Sequence, residues 1–410
     1  MTVALVTHST KPRGGLVHTM GLAEGLHREG HPVYLIALGD PAVGLFRPTA
    51  VPHTVLPVPA KSGSLEERVF ASIDVLTDGL ARLVDDGSTT VRADILHAQD
   101  CIAARAAARV RDAGAPVSVV RTVHHVDDFT TPVLVTCQRE AILEPDQVLV
   151  VSEQWRRILR ADYGVEPVVV PNGVDLERFS RIPPASGAEL RARIGITDER
   201  TFLFLAVGGV EPRKGSVYLF EALGRLRREL TTPVVLAIVG GHSFQDYAAY
   251  RDAALDSLPG LGLALGRDVV LLGTVDDAEL AGWYQSADAL AFPSVKEGWG
   301  LAVLEAMSQD LPVIATDLPV FREYLTDHVD ALLPRVADAA SLAGAMRELV
   351  TDSALRDRLR AGGRTLLPRF TWQASARRHL EVYAEVRRLA RSGTTIRASR
   401  VRSEDVSGSS

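Results

Sequence analysis

A chain of 410 residues is too long for one ordinary core, and at roughly 150 residues per domain it points to two or three domains. Hydrophobic residues make up 46% and charged residues 23%, the balance of an ordinary soluble globular protein, and a formal net charge of −6 argues against nucleic acid as a partner. Residues 1–180 carry 17 Lys and Arg against 22 Asp and Glu, so the first half lacks the positive charge that anionic lipid would favour.

Short apolar runs alternate with amphipathic stretches along the chain. Residues 3–7 read as a strand, followed by a loop with Gly14 and Gly15. A helix is expected over 16–29, from the spacing of Leu16, Met20, Ala23 and Leu26, and Gly30 ends it. Further strands are expected at 32–38, 95–98, 116–123, 148–151 and 168–170. The run Ile182-Pro183-Pro184-Ala185-Ser186 breaks the rhythm and reads as a linker. The pattern then restarts, with strands expected at 202–207, 234–239, 269–272, 289–292, 313–315 and 331–333. Helices are expected at 216–230 and 372–390. Strand–helix alternation predicts parallel sheets covered on both faces.

The expected organisation is therefore an N-terminal Rossmann-like domain over 1–180, a second over 181–371 and a closing helix over 372–391 that crosses back to the first domain. A disordered tail over 392–410 follows. Cys101 and Cys137 show no metal spacing and are read as reduced, buried thiols of a cytoplasmic protein. Nothing at the start of the chain resembles a signal peptide, and no stretch approaches the ~20 apolar residues of a membrane span.

The strongest chemical signal is Pro293-Ser294-Val295-Lys296-Glu297-Gly298-Trp299-Gly300-Leu301, running on to Glu305. A strand leads into a glycine loop, and a helix begins near Gly300. The N–H groups of Trp299, Gly300 and Leu301 would be offered to phosphate or sugar oxygens. Glu297 and Glu305 are acceptors suited to paired sugar hydroxyls. A second signal is Val207-Gly208-Gly209-Val210-Glu211-Pro212-Arg213-Lys214-Gly215, where two cations at a helix start suit a diphosphate. A third is Lys11-Pro12-Arg13-Gly14-Gly15 after the first strand, in which Lys11 or Arg13 is an acceptor contact or a solvated cation. A fourth is Thr122-Val123-His124-His125-Val126-Asp127-Asp128 at a strand end, which also admits a metal site.

Taken in order, these residues resemble the family-4 retaining glycosyltransferases of the GT-B fold. The resemblance rests on Glu297 and Glu305 with seven residues between them, on Gly14-Gly15, Gly30-His31, residues 94–97, His124 and Pro171-Asn172-Gly173-Val174-Asp175. Phe179, Lys214-Gly215, Gly273, Ala287-Asp288, residues 312–316 and Glu323 complete it. It implies an α/β GT-B fold, two Rossmann-like domains facing each other across a cleft that holds the active site. It also implies a retaining, metal-independent hexosyltransferase-type enzyme without a cofactor. The donor would be a nucleotide-diphosphate sugar, and the acceptor a small molecule, a glycan or a lipid-linked group.

On that resemblance the catalytic set is His124, Arg213, Lys214 and Glu297, with His125 as runner-up to His124. The donor-binding set is Gly14, Gly15, Gly209, Val275, Gly298, Trp299, Gly300, Leu301 and Glu305, the last on the ribose hydroxyls. Retention would follow front-face attack, with the departing phosphate taking the acceptor proton. One departure stands out: Gly209 occupies the place where the family usually has arginine, and Arg213 is expected to compensate. A sugar-nucleotide epimerase of the same fold and an inactive sugar-binding relative remain as alternatives. A dehydrogenase is disfavoured because no G-x-G-x-x-G follows the first strand.

Overall fold

The computed structural model describes residues 1–12, 14–59, 63–85, 92–179, 181–241 and 247–392. Arg13 and the tail from 393 onward, including its expected disorder, lie outside the described residues. The chain forms two compact units, Met1–Gly173 with Phe370–Ser410, and Val174–Arg369.

The first unit runs β1 (Val3–Thr7), α1 (Gly14–Arg28), β2 (Val33–Gly39), β3 (His53–Pro57), α2 (Leu65–Asp85), β4 (Ile95–Ala98) and α3 (Cys101–Asp112). It continues with β5 (Ser118–Val123), α4 (Pro132–Leu143), β6 (Gln147–Val150), α5 (Glu153–Tyr163) and β7 (Val168–Val169). Among the described residues its strands pair in the order β3-β2-β1-β4-β5-β6-β7, all in parallel. Strand order reverses between β1 and β4, the switch point at which open α/β sheets bind ligands. The inner strands are apolar on both faces because helices cover both, so β1 and β4 are buried throughout. Asp100 caps α3 through the N–H of Ala103, and Ser152 caps α5 through that of Trp155.

The second unit runs α6 (Pro184–Arg193), β8 (Phe202–Val207), α7 (Ser216–Glu229), β9 (Val234–Val239), α8 (Ala248–Asp256), β10 (Val269–Gly273) and α9 (Asp277–Ser286). It continues with β11 (Ala289–Phe292), α10 (Leu301–Ser308), β12 (Val313–Ala315), α11 (Pro319–Arg322), α12 (Ala339–Thr351) and α13 (Ser353–Leu366). Its parallel sheet has the order β10-β9-β8-β11-β12 among the described residues, with the reversal between β8 and β11. Phe204, Phe220, Leu236, Ala289 and Ile314 centre its core.

The last helix, α14 (Trp372–Arg391), belongs to the first unit. It packs on α1, where a Cβ on Gly21 would stand 2.2 Å from the Trp372 ring. Among the described residues no helix is long and apolar enough to cross a membrane.

Several expectations need correcting. Gly14 and Gly15 are the first two residues of α1, not part of the preceding loop. The expected linker at 182–186 already turns into α6 at Pro184, because proline's fixed φ suits a first helical position. Residues 331–333 form only isolated bridges, Leu332 with Ile314 and Ala331 with Asp327. Pro334 follows and brings no N–H to extend the pairing. Strand β3 was missed: as an edge strand it shows no buried alternation, only half-buried and exposed positions. The first unit ends at Gly173, seven residues before the expected boundary, because Gly173 packs against the Trp372 backbone. The second crossing falls at Phe370, two residues before the expected helix start. Cys101 is half-buried and Cys137 buried, and both are free.

Candidate active site

In the second unit the chemistry sits where β8 and β11 end. The backbone after β8 closes a 3-10 turn, Pro212–Lys214, and the N–H of Val295 donates to the Arg213 carbonyl at 2.9 Å, tying the β8 and β11 loops together. Arg213 and Lys214 therefore do not diverge as neighbours on an extended chain would. Lys214 Nζ donates to Glu297 Oε1 at 2.6 Å, Arg213 Nη1 donates to the same oxygen at 2.9 Å, and Ser294 Oγ at 3.0 Å. Glu297 is only 8% exposed. Burial works to raise its pKa, but the Lys214 and Arg213 charges and the hydrogen bonds from Lys214 and Ser294 bring it down to about 2. It is an anion at any ordinary pH. Burial lowers the pKa of Lys214, against the pull of Glu297. Its ammonium lies 4.4 Å from the centre of the Phe292 ring.

Gly300 caps α10 at φ 89°, and a Cβ there would stand 2.5 Å from Phe321. The turn that delivers the Trp299, Gly300 and Leu301 amides thus depends on glycine. Trp299 is buried and stacks on Tyr324 at 4.7 Å, and the Tyr324 hydroxyl donates to the Trp299 carbonyl at 2.8 Å. Immediately before Trp299, Gly298 is half-buried. One helical stretch on, Glu305 is buried and accepts from Arg178 Nη1 and from the Tyr284 hydroxyl. Arg178 also forks onto Asp277, at 3.0 and 2.8 Å. Burial would depress the Arg178 pKa, but Glu305 and Asp277 raise it.

Gly209 has a structural reason. A Cβ there would stand 2.7 Å from the Gly241 carbonyl oxygen, so the β8 and β9 loops meet too closely for the family's usual arginine. Val275 is half-buried in the β10–α9 loop beside Asp276, which caps α9.

In the first unit the ends of β1, β4 and β5 are adjacent. Gly14 and Gly15 open α1 after β1, and among the described residues nothing beyond their chain neighbours and their own helix backbone lies within 4 Å of a Cβ placed on either. Lys11 is exposed, its N–H donating to Ser9 Oγ. His124 follows β5, and its Nε2 lies 3.1 Å from Gln99 Oε1. Burial, then the neighbours His18, Arg121, His125 and His97, hold the His124 pKa well below the usual imidazole range. His125 pairs instead with Asp127, Nε2 to Oδ1 at 3.2 Å. Among the described residues no cluster of three or more His, Cys, Asp and Glu is placed to hold a metal ion.

Arg178, Tyr284, Ser294 and Gln99 were missed from the sequence. Arg178 precedes Phe179 in a recognisable segment, but its partner Glu305 is 127 residues away. Asn172 Oδ1 accepts from His18 Nδ1 at 2.8 Å, and His97 lies 2.7 Å from both the Tyr383 and the Thr122 hydroxyl oxygens.

Two family profiles match the chain. "Glycosyltransferase Family 4" matches residues 12–178, and "Glycosyl transferases group 1" matches residues 189–366. A phosphatidyl-myo-inositol mannosyltransferase of Mycobacterium leprae is 30% identical over 382 residues, covering 92% of this chain and 94% of that one. A D-inositol 3-phosphate glycosyltransferase of Nocardioides sp. is 30% identical over 315 residues, covering 72% and 68%. Among solved structures, sucrose-phosphate synthase of Thermosynechococcus elongatus superposes with a TM-score of 0.77 at 20% identity, covering 94% of this chain and 98% of that one. Anabaena HepE in complex with UDP and glucose gives 0.74 at 18% identity, covering 94% and 100%. With two parallel-sheet α/β units and this likeness to a mannosyltransferase along most of its length, the chain belongs to the family-4 glycosyltransferases and has the GT-B fold.

Proposed function

We propose that this glycosyltransferase moves a sugar, with retention, from a nucleotide-diphosphate sugar, using no bound metal and no cofactor. The observation that carries the reading is the convergence of Arg213 and Lys214 on Glu297, beside the glycine turn at the start of α10. A leaving diphosphate gains negative charge as the glycosidic bond breaks. Two cations and the helix-start amides are the groups that stabilise such charge. Glu297 stays ionised, so it has no proton to give, and its role is to accept hydroxyls of the donor sugar. Glu305 accepts the ribose hydroxyls, and the segment around Val275 lines the nucleotide base.

In the first unit, neither packing nor an unusual φ demands glycine at positions 14 and 15. Close approach of a phosphate or sugar supplies the reason, and His124 serves the sugar. The relatives named above act on phosphatidyl-myo-inositol and D-inositol 3-phosphate. An inositol-bearing acceptor is accordingly the first class to try. The test incubates the protein with UDP-, GDP- and ADP-sugars, each with and without myo-inositol phosphates and phosphatidylinositol, and reads the anomeric protons by NMR. Transfer with the donor's anomeric configuration supports the reading, whether or not chelator is present. Inversion, or isomerised donor without acceptor, overturns it.

A further inference from the structure

The end of β4 and the two residues after it read His97-Ala98-Gln99-Asp100, and Gln99 is 3% exposed. Its N–H donates to the Val6 carbonyl at 2.9 Å, which fixes it against β1. Its side-chain oxygen lies 3.1 Å from Nε2 of His124. An amide oxygen has no hydrogen to offer, so the imidazole must supply it. Neutral imidazole carries one N–H, and with that on Nε2 the other nitrogen, Nδ1, is an acceptor. The ring of His18 stands edge-on to that of His124, with centroids 4.5 Å apart and planes at 72°, and restrains its tilt. The groups that face His124 are His18 on α1, His97 on β4, Arg121 on β5 and His125 just beyond it, all neutral or cationic. They oppose a second proton on the ring.

We propose that Gln99 is a positioning residue that sets His124 as the Nε2–H tautomer, so that Nδ1 accepts a hydrogen bond from a hydroxyl of the transferred sugar. This rests on the reading that His124 serves the donor sugar. The polarity has a consequence for specificity: His124 selects an O–H, and a donor deoxygenated or fluorinated at that position loses the bond. With the amide turned the other way, its N–H₂ would face Nε2 and Nδ1 would carry the proton, reversing that preference. The side-chain nitrogen of Gln99 is buried with no partner among the described residues, and the tautomer of His124 reports which way the amide faces.

Two measurements on the full chain decide it. In the first, histidine is labelled with ¹⁵N and long-range ¹H–¹⁵N correlations are recorded, with His124 assigned by its loss in His124→Gln. The expected spectrum shows Nε2 protonated and Nδ1 bare; a protonated Nδ1, or a tautomer mixture unchanged in Gln99→Leu, overturns the proposal. This readout needs no turnover, so it stands even if the protein transfers no sugar and the proposed function fails. In the second, Gln99→Glu puts a carboxylate beside Nε2–H, favours imidazolium and makes Nδ1 a donor. The acid limb of kcat/KM for donor should move up by about one pH unit, so that on the limb itself kcat/KM falls about tenfold and recovers on raising the pH. Gln99→Leu should lose about fivefold in kcat/KM without a shifted limb. A Gln99→Glu profile that superposes on wild type, in a protein of unchanged Tm, sinks the idea.

Discussion

Arg213 and Lys214 end on one oxygen of Glu297 because the chain has begun to turn before it reaches them. Lys214 is the more enclosed of the two, with a side chain 17% exposed against 35% for Arg213. Charge in the drier site counts for more. Lys214→Ala is therefore expected to cut turnover about 10²–10³-fold, the usual loss for one transition-state donor. Arg213→Ala should cost about tenfold or more, and Arg213→Lys should recover only part, since a point charge cannot replace a planar fork. Steady-state rates with folding checked by circular dichroism test this. Wild-type turnover in Arg213→Ala would end the idea that Arg213 makes up for Gly209. Glu305 carries a different burden, since it also neutralises Arg178 and receives Tyr284. Glu305→Ala would leave the buried Tyr284 hydroxyl without this acceptor and Arg178 with Asp277 alone, so Glu305→Gln is the cleaner probe. It should weaken nucleoside diphosphate binding by about 1.5–3 kcal/mol; equal affinity in calorimetry would count against a ribose role.

At the scale of elements, α14 is held to the first unit by a core that is partly imidazole. His18, His97 and His379 are fully buried, with ring centroids 5.5 Å apart for His97 and His379 and 6.2 Å for His18 and His379. Burial first, then His379, lowers the His18 pKa to about 3, with its bond to Asn172 opposing. Burial lowers that of His379 to about 4. These groups are neutral when folded and titrate near 6.5 when unfolded, so the unfolded chain binds protons first as pH falls. Stability is complete above about pH 6.5 and declines from there toward pH 3–4, by about 2 kcal/mol per histidine on reaching pH 5. Tm measured from pH 8 to pH 5 should fall steeply below 6.5. His379→Gln should make that fall shallower by one proton; a slope unchanged by it would show that other groups govern the acid limb.

At the scale of the molecule, the first unit is discontinuous in sequence and the second is not. Trp372, Ala376, Tyr383 and Val386 are buried on α14, and Arg377 reaches back 348 residues to Glu29. Large apolar side chains contribute about 1.5–3 kcal/mol each when buried. Loss of α14 would remove much of the 5–15 kcal/mol that ordinarily holds a domain folded. A fragment of residues 174–369 should unfold cooperatively on its own and bind nucleoside diphosphate. Residues 1–173 should lack a cooperative transition unless 370–392 is supplied. Calorimetry of the two fragments tests this, and a cooperative melt of 1–173 alone would refute it.

What residues 202–207, 234–239 and 289–292 would become was legible from the chain alone. A run of apolar residues between turn signals forms a strand through local periodicity, and the structure has those bounds. The family could be read as well, because Gly300, Glu297 and Glu305 lie within one loop and one helix. Partners distant in sequence were beyond that reading. Glu305 was legible, but Arg178, which neutralises it, was not; His124 was legible, but not Gln99, which bonds it. Gly209 looked like a lost arginine until the Gly241 carbonyl was found against it. The exposed edge strand β3 carries no burial pattern of its own, and nothing local in α14 names α1 as its neighbour. Sequence pattern reports how a segment meets solvent or core, whereas the identity of the group across from it depends on strand order and helix docking, which are set only when the whole chain closes.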